Sequence, residues 1–469
     1  MDGRMGNLSM NIKLKEDAKE CGFDVMTEVQ RACIPEMLKG KDVIVQAPTG
    51  TGKTMAFLTP ILDYVYADFT GNAEVTAVVI APTRELSLQI KAVADMFKCS
   101  CECFIGGISI EDDYAKMQKC IRIAVGTPGR LFEIISKYPK QFARVRYIIL
   151  DEADKLLGYG FEEKLMQIMK MLPRSRIAGL FSATINESVD KLSLVLLRNP
   201  VRIKVGSGMM PVCLEYVVIR PADKILALME IATKRRCIVF FATCSQVDFF
   251  SSLFVEFGVA HVSKIHGRMA QEERSKVYEQ FVAGEGMLFC TDVAARGIDF
   301  KEVELVVHFD VPKDYNNIVH RSGRTARNGS KGESVVFVMP NEKAYVEFLK
   351  LKGICVAECS RAIDPSVTHE DIKARITPEL LDAGVKAFVS YIRSYKEHVV
   401  SYILDYKGLD YNSLVDLFFL EKVPGMAELK HVKFERFEKP DRKALKDSKE
   451  VKKVKKAKLN KKHSRKQNK

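Results

Sequence analysis

The chain has 469 residues, enough for about three domains at roughly 150 residues each. Hydrophobic residues at 47% and charged residues at 28% form an ordinary globular mixture, which excludes a chain that is disordered or fibrous throughout. The net charge of +13 sits at one end: residues 439–469 hold 15 Lys or Arg and 3 Asp or Glu, so the body is close to neutral and any nucleic-acid site in it must be built from local basic groups.

The 12 cysteines form no Cys-x-x-Cys pair and no Cys/His set with zinc-finger spacing. Cys99, Cys101 and Cys103 alternate as along one strand face, where small buried hydrophobes are the reading set against a metal role. No apolar run reaches the ~18 residues of a membrane span, and nothing resembles a secretory signal. A reducing compartment, cytosol or nucleus, is expected.

Short β-branched runs recur along the chain, each followed by a helical stretch. Val43-Ile44-Val45, Val78-Val79-Ile80 and Tyr147-Ile148-Ile149-Leu150 stand in the first half. Ile238-Val239-Phe240-Phe241, Met287-Leu288-Phe289-Cys290, Leu305-Val306-Val307 and Val335-Val336-Phe337-Val338 follow in the second. Near-continuous apolar strands alternating with helices predict an α/β chain with parallel sheets covered on both faces. Val205-Gly206-Ser207-Gly208 interrupts the pattern and suits a hinge, dividing residues 1–208 from 209–365. Residues 366–436 predict a helical extension, with Leu380, Leu381, Val385, Phe388, Val389 and Ile392 at helix-like spacing. Residues 437–469 are a Lys-rich tail with too few apolar side chains for a core, expected to be disordered when alone.

The first strand leads into Ala47-Pro48-Thr49-Gly50-Thr51-Gly52-Lys53-Thr54 and then a helix. Glycines let backbone N–H groups wrap phosphate oxygens, and the helix N-terminus favours an anion. Lys53 can reach β and γ phosphates, and Thr54 can hold Mg²⁺. The strict P-loop pattern has Gly where Ala47 stands, so a structural glycine turn remains an alternative at this point. The strand Tyr147–Leu150 ends at Asp151-Glu152-Ala153-Asp154, carboxylates at the site-bearing rim of an α/β sheet. Asp151 can organise Mg²⁺, and Glu152 can orient and deprotonate an attacking water. The plain alternative is a solvated acidic helix start.

Asp-Glu-Ala-Asp is the name-giving motif of the DEAD-box RNA helicases, and the chain resembles that family over roughly residues 22–338. Gly22-Phe23 with Thr27 and Gln30 resembles the adenine-sensing Q motif. Pro82-Thr83-Arg84-Glu85-Leu86, Gly106-Gly107 and Thr127-Pro128-Gly129-Arg130 resemble the RNA-binding motifs of the first lobe, and Ser182-Ala183-Thr184 the motif that couples ATP to unwinding. His266-Gly267 with Gln271 and Arg274, the run Thr291–Asp299, and His320-Arg321-Ser322-Gly323-Arg324-Thr325-Ala326-Arg327 resemble the motifs of the second lobe.

The resemblance implies two tandem RecA-like lobes with ATP between them. It implies nucleotide contacts from Phe23, Thr27, Gln30, residues Ala47, Pro48, Thr49, Gly50, Thr51, Gly52, Lys53 and Thr54, and a ribose contact from Asp299. Lys53, Asp151 and Glu152 would act with Arg324 and Arg327 as arginine fingers, Mg²⁺ being held at Thr54 and Asp151. Asp154, Ser182, Thr184 and His320 would couple hydrolysis to RNA, which Arg84, Gly107, Thr127, Arg130 and Thr291 would hold by its backbone. A Gln side chain can accept from adenine N6 and donate to N7, which guanine does not match. Two departures stand out: Lys13 replaces an aromatic about 17 residues before Gln30, and Met26 replaces a proline, which puts base stacking in doubt.

Lys386–Arg393 and the segment from Leu409-Asp410-Tyr411 to Val423-Pro424-Gly425-Met426 resemble the extension of the subgroup that matures the large (60S) ribosomal subunit. That implies a monomeric ATP-dependent RNA helicase acting on pre-ribosomal RNA and 60S precursor particles in the nucleolus, with no membrane partner. Two other classes compete: an ATP-gated RNA clamp or assembly-factor scaffold with little turnover, and a DNA helicase. The complete catalytic set weighs against the first, and family resemblance alone against the second.

Overall fold

Val43–Gln46 (β1), Ala77–Ile80 (β2), Cys101–Phe104 (β3), Ile123–Gly126 (β4), Tyr147–Leu150 (β5), Ile177–Ser182 (β6) and Val201–Lys204 (β7) pair into one sheet in the order β3-β4-β2-β5-β6-β1-β7. Leu214–Val218 (β8), Cys237–Phe240 (β9), Val262–Ile265 (β10), Met287–Cys290 (β11), Leu305–His308 (β12), Glu333–Val338 (β13) and Val356–Glu358 (β14) form a second, ordered β10-β11-β9-β12-β13-β8-β14. The computed structural model describes residues 4–435 apart from 49, 69–73, 186, 207–212, 233–234, 285, 293–302, 327–331 and 360–366.

The apolar runs become parallel strands because both faces of each sheet are covered. In the first sheet Val43, Val45, Ala77 and Val79 enter one core, whereas Ile44, Val78, Ile80 and Ile148 enter the core on the opposite face, the period-2 alternation of a pleated strand. The register keeps the strand ends level: Gln46 pairs with Ser182, Leu150 with both Ile80 and Leu180, and Gly126 with Ile80 and Phe104. The turns that follow these strands therefore share one rim.

The strand order splits that rim in two. The ends of β5, β6 and β1 are adjacent and lead into Asp151–Asp154, Ser182–Thr184 and the glycine loop. The ends of β3, β4 and β2 lead into Gly106-Gly107, Thr127–Arg130 and Thr83-Arg84. The pairing of β2 with β5 joins the two groups.

The second sheet buries its two faces unequally. Ile238, Phe240, Leu288 and Val306 enter a small cluster with Phe281, whereas Val239, Phe241, Phe289 and Val307 enter a core that continues into the C-terminal helices. The helix Pro378–Tyr395 starts with Pro378 at its first turn and the Thr377 hydroxyl accepting from Leu380 N, and it packs along Cys244–Glu256. Phe418 lies within ring contact of Phe249, Phe250, Phe388 and Tyr391. Gly384 allows this approach: a Cβ there would meet the Phe418 carbonyl at 2.5 Å. The extension is thus part of the second lobe's core. Among the described residues no helix is long and apolar enough to cross a membrane.

Candidate active site between the lobes

Gly50 (φ 80°) and Gly52 (φ 87°) turn the chain through left-handed conformations, and Gly52 caps the helix Lys53–Ala67. Lys53 is buried, and its Nζ donates to the carbonyls of Ala47 and Pro48, both at 2.7 Å. Thr51 Oγ1 donates to Pro48 O at 2.8 Å, so the loop curls over its own lysine. Thr54 is half-buried at the second helical position. Burial pushes the Lys53 pKa down, while Asp151, Glu152 and Asp154 pull it up. Arg324 of the second lobe adds to the downward push.

Beside the loop, Thr27 caps the helix Glu28–Leu38 in a reciprocal box with Gln30: Thr27 N donates to Gln30 Oε1 at 2.9 Å and Gln30 N to Thr27 Oγ1. Gln30 Nε2 donates to Gly52 O at 3.1 Å, and a Cβ on Gly52 would stand 2.6 Å from that nitrogen. These bonds use one acceptor site and one N–H of the amide, leaving one of each in a fixed orientation. The box is the part of the Gln30 environment that a base-reading argument alone misses. Phe23 is half-buried and stacks on Phe97 at 6.2 Å, and Lys13 is exposed on the helix Ile12–Glu20.

At the end of β5, Asp151 and Glu152 are both buried. Asp151 Oδ1 accepts from Glu152 N at 2.9 Å. Burial and then the adjacent Glu152 push Asp151 up to about 7, against the pull of Lys53. Glu152 has φ 47°, in the left-handed region that side chains with a Cβ avoid, and its buried Oε2 meets no partner among the described residues. Strain of this kind, worth about 1–3 kcal/mol, collects at functional sites. Two adjacent buried carboxylates suit a hard cation held with phosphate oxygens and water. Among the described residues no three His, Cys, Asp or Glu converge as a metal cage.

Asp154 is the junction of the lobes. Its carboxylate accepts from Ser182 Oγ (2.6 Å), Thr184 Oγ1 (3.1 Å) and His320 Nε2 (2.9 Å), and Lys155 Nζ stands at 3.2 Å. Burial pushes the Asp154 pKa up, but His320, Lys155 and Ser182 outweigh it and hold the group well below the carboxylate range. Burial and Lys155 push His320 down. At neutral pH, then, Asp154 is the charged partner and His320 a neutral donor through Nε2.

The sequence-based reading gave no individual role to Lys155, Asn317, Asp292 or Arg321, which complete this junction. Lys155 Nζ donates to Asn317 Oδ1 at 2.8 Å, Asn317 Nδ2 to Asp292 Oδ2 at 3.2 Å, and Arg321 holds Asp292 through two bonds of 2.6 and 2.9 Å. Arg324 Nε donates to His320 O at 3.1 Å on the helix Asn317–Ser322 and its C-terminal turn. The available signal was a lysine directly after the carboxylates and an asparagine three residues before His320. Nothing in the sequence pairs them, because they are 162 residues apart.

On the other half of the rim Arg84 lies over Gly107, where a Cβ would come within 2.2 Å of Nη1. Arg84 Nη1 also donates across the lobes to Gln271 Oε1 at 3.2 Å. Gln271 Nε2 donates to Glu85 at 3.2 Å, and Arg274 bridges to Glu85 at 2.6 Å. Arg130 is anchored by the buried Asp113, by Glu133 at 3.2 Å and by Ile108 O at 3.0 Å. Thr127 caps the helix Pro128–Lys137 without using its hydroxyl, in contrast to Thr27, Thr83 and Thr243 at other helix starts. Thr291 is buried at the end of β11. Thr49, Asp299 and Arg327 lie outside the described residues, as do Ser207 and Gly208 of the hinge and the tail from residue 437.

A glycine loop and strand-end carboxylates on one parallel α/β lobe, faced across a cleft by a His/Arg helix of a second, define a two-lobed P-loop ATPase. The model of DEAD/DEAH box helicases matches residues 27–192, and that of the helicase conserved C-terminal domain residues 221–329. The C-terminal extension of SPB4-like ATP-dependent rRNA helicases matches residues 377–426. Over 430 residues the chain is 66% identical to the ATP-dependent rRNA helicase SPB4 of Encephalitozoon cuniculi (strain GB-M1), covering 92% of this chain and 93% of that protein. It is 35% identical to the human ATP-dependent RNA helicase DDX55 over 451 residues, covering 89% and 74%. The solved structure of the DEAD-box helicase Mss116 bound to single-stranded RNA and UDP-BeF superposes with a TM-score of 0.81 at 27% identity, covering 91% of this chain and 95% of that one. The chain belongs to the DEAD-box ATP-dependent RNA helicases.

Proposed function

We propose that the chain hydrolyses ATP between its lobes to grip and locally open pre-ribosomal RNA during assembly of the large ribosomal subunit, as a monomer in the nucleolus. The observation that carries the mechanism is the Asp154 junction, which ties the carboxylate strand, the Ser182/Thr184 turn and the second lobe's His320 into one network. The RNA substrate is supported by the kinship with an rRNA helicase and by the extension at residues 377–426.

ATP sits against residues 47–54, with Lys53 leaving the Ala47 and Pro48 carbonyls for the β and γ phosphates. Gln30, held by its capping box and aided by Thr27 and Phe23, presents its remaining acceptor and donor to adenine, and Asp299 takes the ribose. Thr54 and Asp151 would hold Mg²⁺, which would supply neutralisation of phosphate charge. Glu152 orients the attacking water and takes its proton. Arg324 and Arg327 support the charge that develops on the transferred phosphoryl group, a role worth about 10³–10⁵ in rate in other NTPases. Asp154, Ser182, Thr184 and His320 report lobe closure to the RNA face. There Arg84, Gly107, Thr127, Arg130 and Thr291 hold sugar and phosphate, contacts that carry little base information.

The test is steady-state ATPase with RNA and with DNA of the same sequence, on the parent and on Glu152→Gln. RNA-specific stimulation is expected, with turnover lost in Glu152→Gln while ATP and RNA binding persist. Near-normal turnover in Glu152→Gln rules out the assigned base. Negligible turnover in the parent, with tight ATP-dependent RNA binding, would favour an RNA clamp.

A further inference from the structure

Cys213 and Cys355 are 142 residues apart in sequence, yet their sulfurs lie 2.9 Å apart on the surface of the second lobe. The fold brings them together by register. The strands β8 and β14 run parallel with Leu214 opposite Val356, and each cysteine immediately precedes its strand. Leu214 N donates to Cys355 O at 3.2 Å, which holds the two backbones at this level. Both side chains are exposed, so an oxidant reaches them without unfolding, unlike the buried Cys33, Cys101, Cys103, Cys237 and Cys290.

We propose that Cys213 and Cys355 form a peroxide-responsive dithiol site, closing to a reversible disulfide that pins the edge strand of the second lobe. This goes beyond the helicase reading and does not depend on it. The contact with Cys355, aided by partial burial, pushes the Cys213 thiol up to about 11, and because either sulfur can be the donor in that contact, either can attack first. When Cys355 is the first to react, its sulfur as the thiolate attacks one peroxide oxygen, the O–O bond breaks, and a sulfenic acid forms as hydroxide leaves and takes up a proton. The Cys213 sulfur then attacks the sulfenyl sulfur, its proton and the departing hydroxide leaving as water. In sum two thiols and one hydrogen peroxide give one disulfide and two waters, and a thiol reductant reverses the change. Exposed disulfides of this kind are the labile ones, which suits a protein of a reducing compartment.

The bond would fix a particular place. Cys213 is the first described residue after 207–212, where the chain enters the second lobe, and β14 is the last strand before the C-terminal helices. Joining them ties the entry of the lobe to the strand that leads out of it.

The experiment treats the full chain with limiting hydrogen peroxide, blocks remaining thiols, and maps peptides under non-reducing conditions. A Cys213–Cys355 cross-linked peptide is expected as the main product, lost on reduction, with slowed amide exchange in Val356–Glu358 and a higher midpoint of thermal unfolding. In Cys213→Ser the resolving thiol is gone, and a sulfenic-acid probe such as dimedone is expected to label Cys355. Cys120, also exposed, serves as the internal comparison. The proposal fails if Cys213 and Cys355 remain thiols while Cys120 is oxidised. It fails equally if they oxidise singly to sulfinic acids without the cross-link.

Discussion

His320 Nε2 donates to Asp154 Oδ2 at 2.9 Å across the cleft, joining residues 166 apart in sequence. Both side chains are buried, and the carboxylate already accepts from Ser182 and Thr184, so this bond exists only while the lobes are together. Replacing His320 with Ala leaves Asp154 its partners in the first lobe and removes its neutral donor from the second. RNA-stimulated kcat is expected to fall at least about tenfold, equivalent to about 1.4 kcal/mol, with ATP affinity little changed. Parallel measurements of kcat and nucleotide affinity decide it; an unaltered kcat would remove His320 from the coupling network.

Lys155 and Asn317 form the second closure contact. Lys155→Met leaves Asn317 Oδ1 and Asp154 short of a partner, and breaking a buried charged contact of this kind costs about 3–5 kcal/mol. Because the partners lie on different lobes, the loss is expected in the affinity for RNA measured with a non-hydrolysable ATP analogue, and not in RNA-free ATP binding. A double-mutant cycle with Asn317→Leu should recover part of it. Strictly additive losses would mean that the two residues act independently.

Glu342 gives a pH dependence whose sign can be worked out. Its carboxyl is buried and accepts from Met339 N at 2.8 Å. Burial pushes it from 4.5 up to about 7, against the pull of Lys224. The folded chain therefore holds a proton that the unfolded chain releases above about pH 4.5. Its contribution is fully present at low pH and is lost as pH rises through about 7. Glu342→Gln imitates the protonated form at every pH. Its stability relative to the parent should rise by on the order of 3 kcal/mol from about pH 5 to about pH 8. Denaturant melts at the two pH values check this, and a difference independent of pH would contradict it.

The charge of residues 439–469 predicts a salt effect. Each phosphate neutralised on single-stranded RNA adds about −0.7 to the slope of log affinity against log salt. If about five lysines engage together, deleting 439–469 should make the slope shallower by roughly 3.5, with kcat at saturating RNA little changed. Parallel slopes with and without the segment would leave it as a nuclear address and remove the tether.

Much of the site is legible along the chain because its parts are local. The glycine loop needs left-handed residues directly before a helix, and Gly50 and Gly52 occupy those positions. The carboxylates need a buried strand directly before them, and Tyr147–Leu150 is an unbroken apolar run. The extension shows its buried face in the spacing of Leu380, Phe388 and Ile392. Less legible were short or mixed strands such as Val201–Lys204 and Val356–Glu358, whose partly exposed residues carry no apolar run.

By itself the sequence determined the parallel α/β elements, the order of the motifs and the chemistry each can perform, since hydrophobic period, turn residues and helix starts are set by neighbours in the chain. Only the tertiary structure decided how those pieces face one another. The crossover connections set β3-β4-β2 beside β5-β6-β1, and so placed Arg84, Gly107, Thr127 and Arg130 on one half of the rim and Lys53, Asp151 and Glu152 on the other. Packing of the lobes then matched Arg84 with Gln271, Lys155 with Asn317 and Asp154 with His320. Each of these bonds joins residues more than 160 positions apart, and it forms because buried polar groups must find partners when the lobes close, a requirement that no local pattern of residues records.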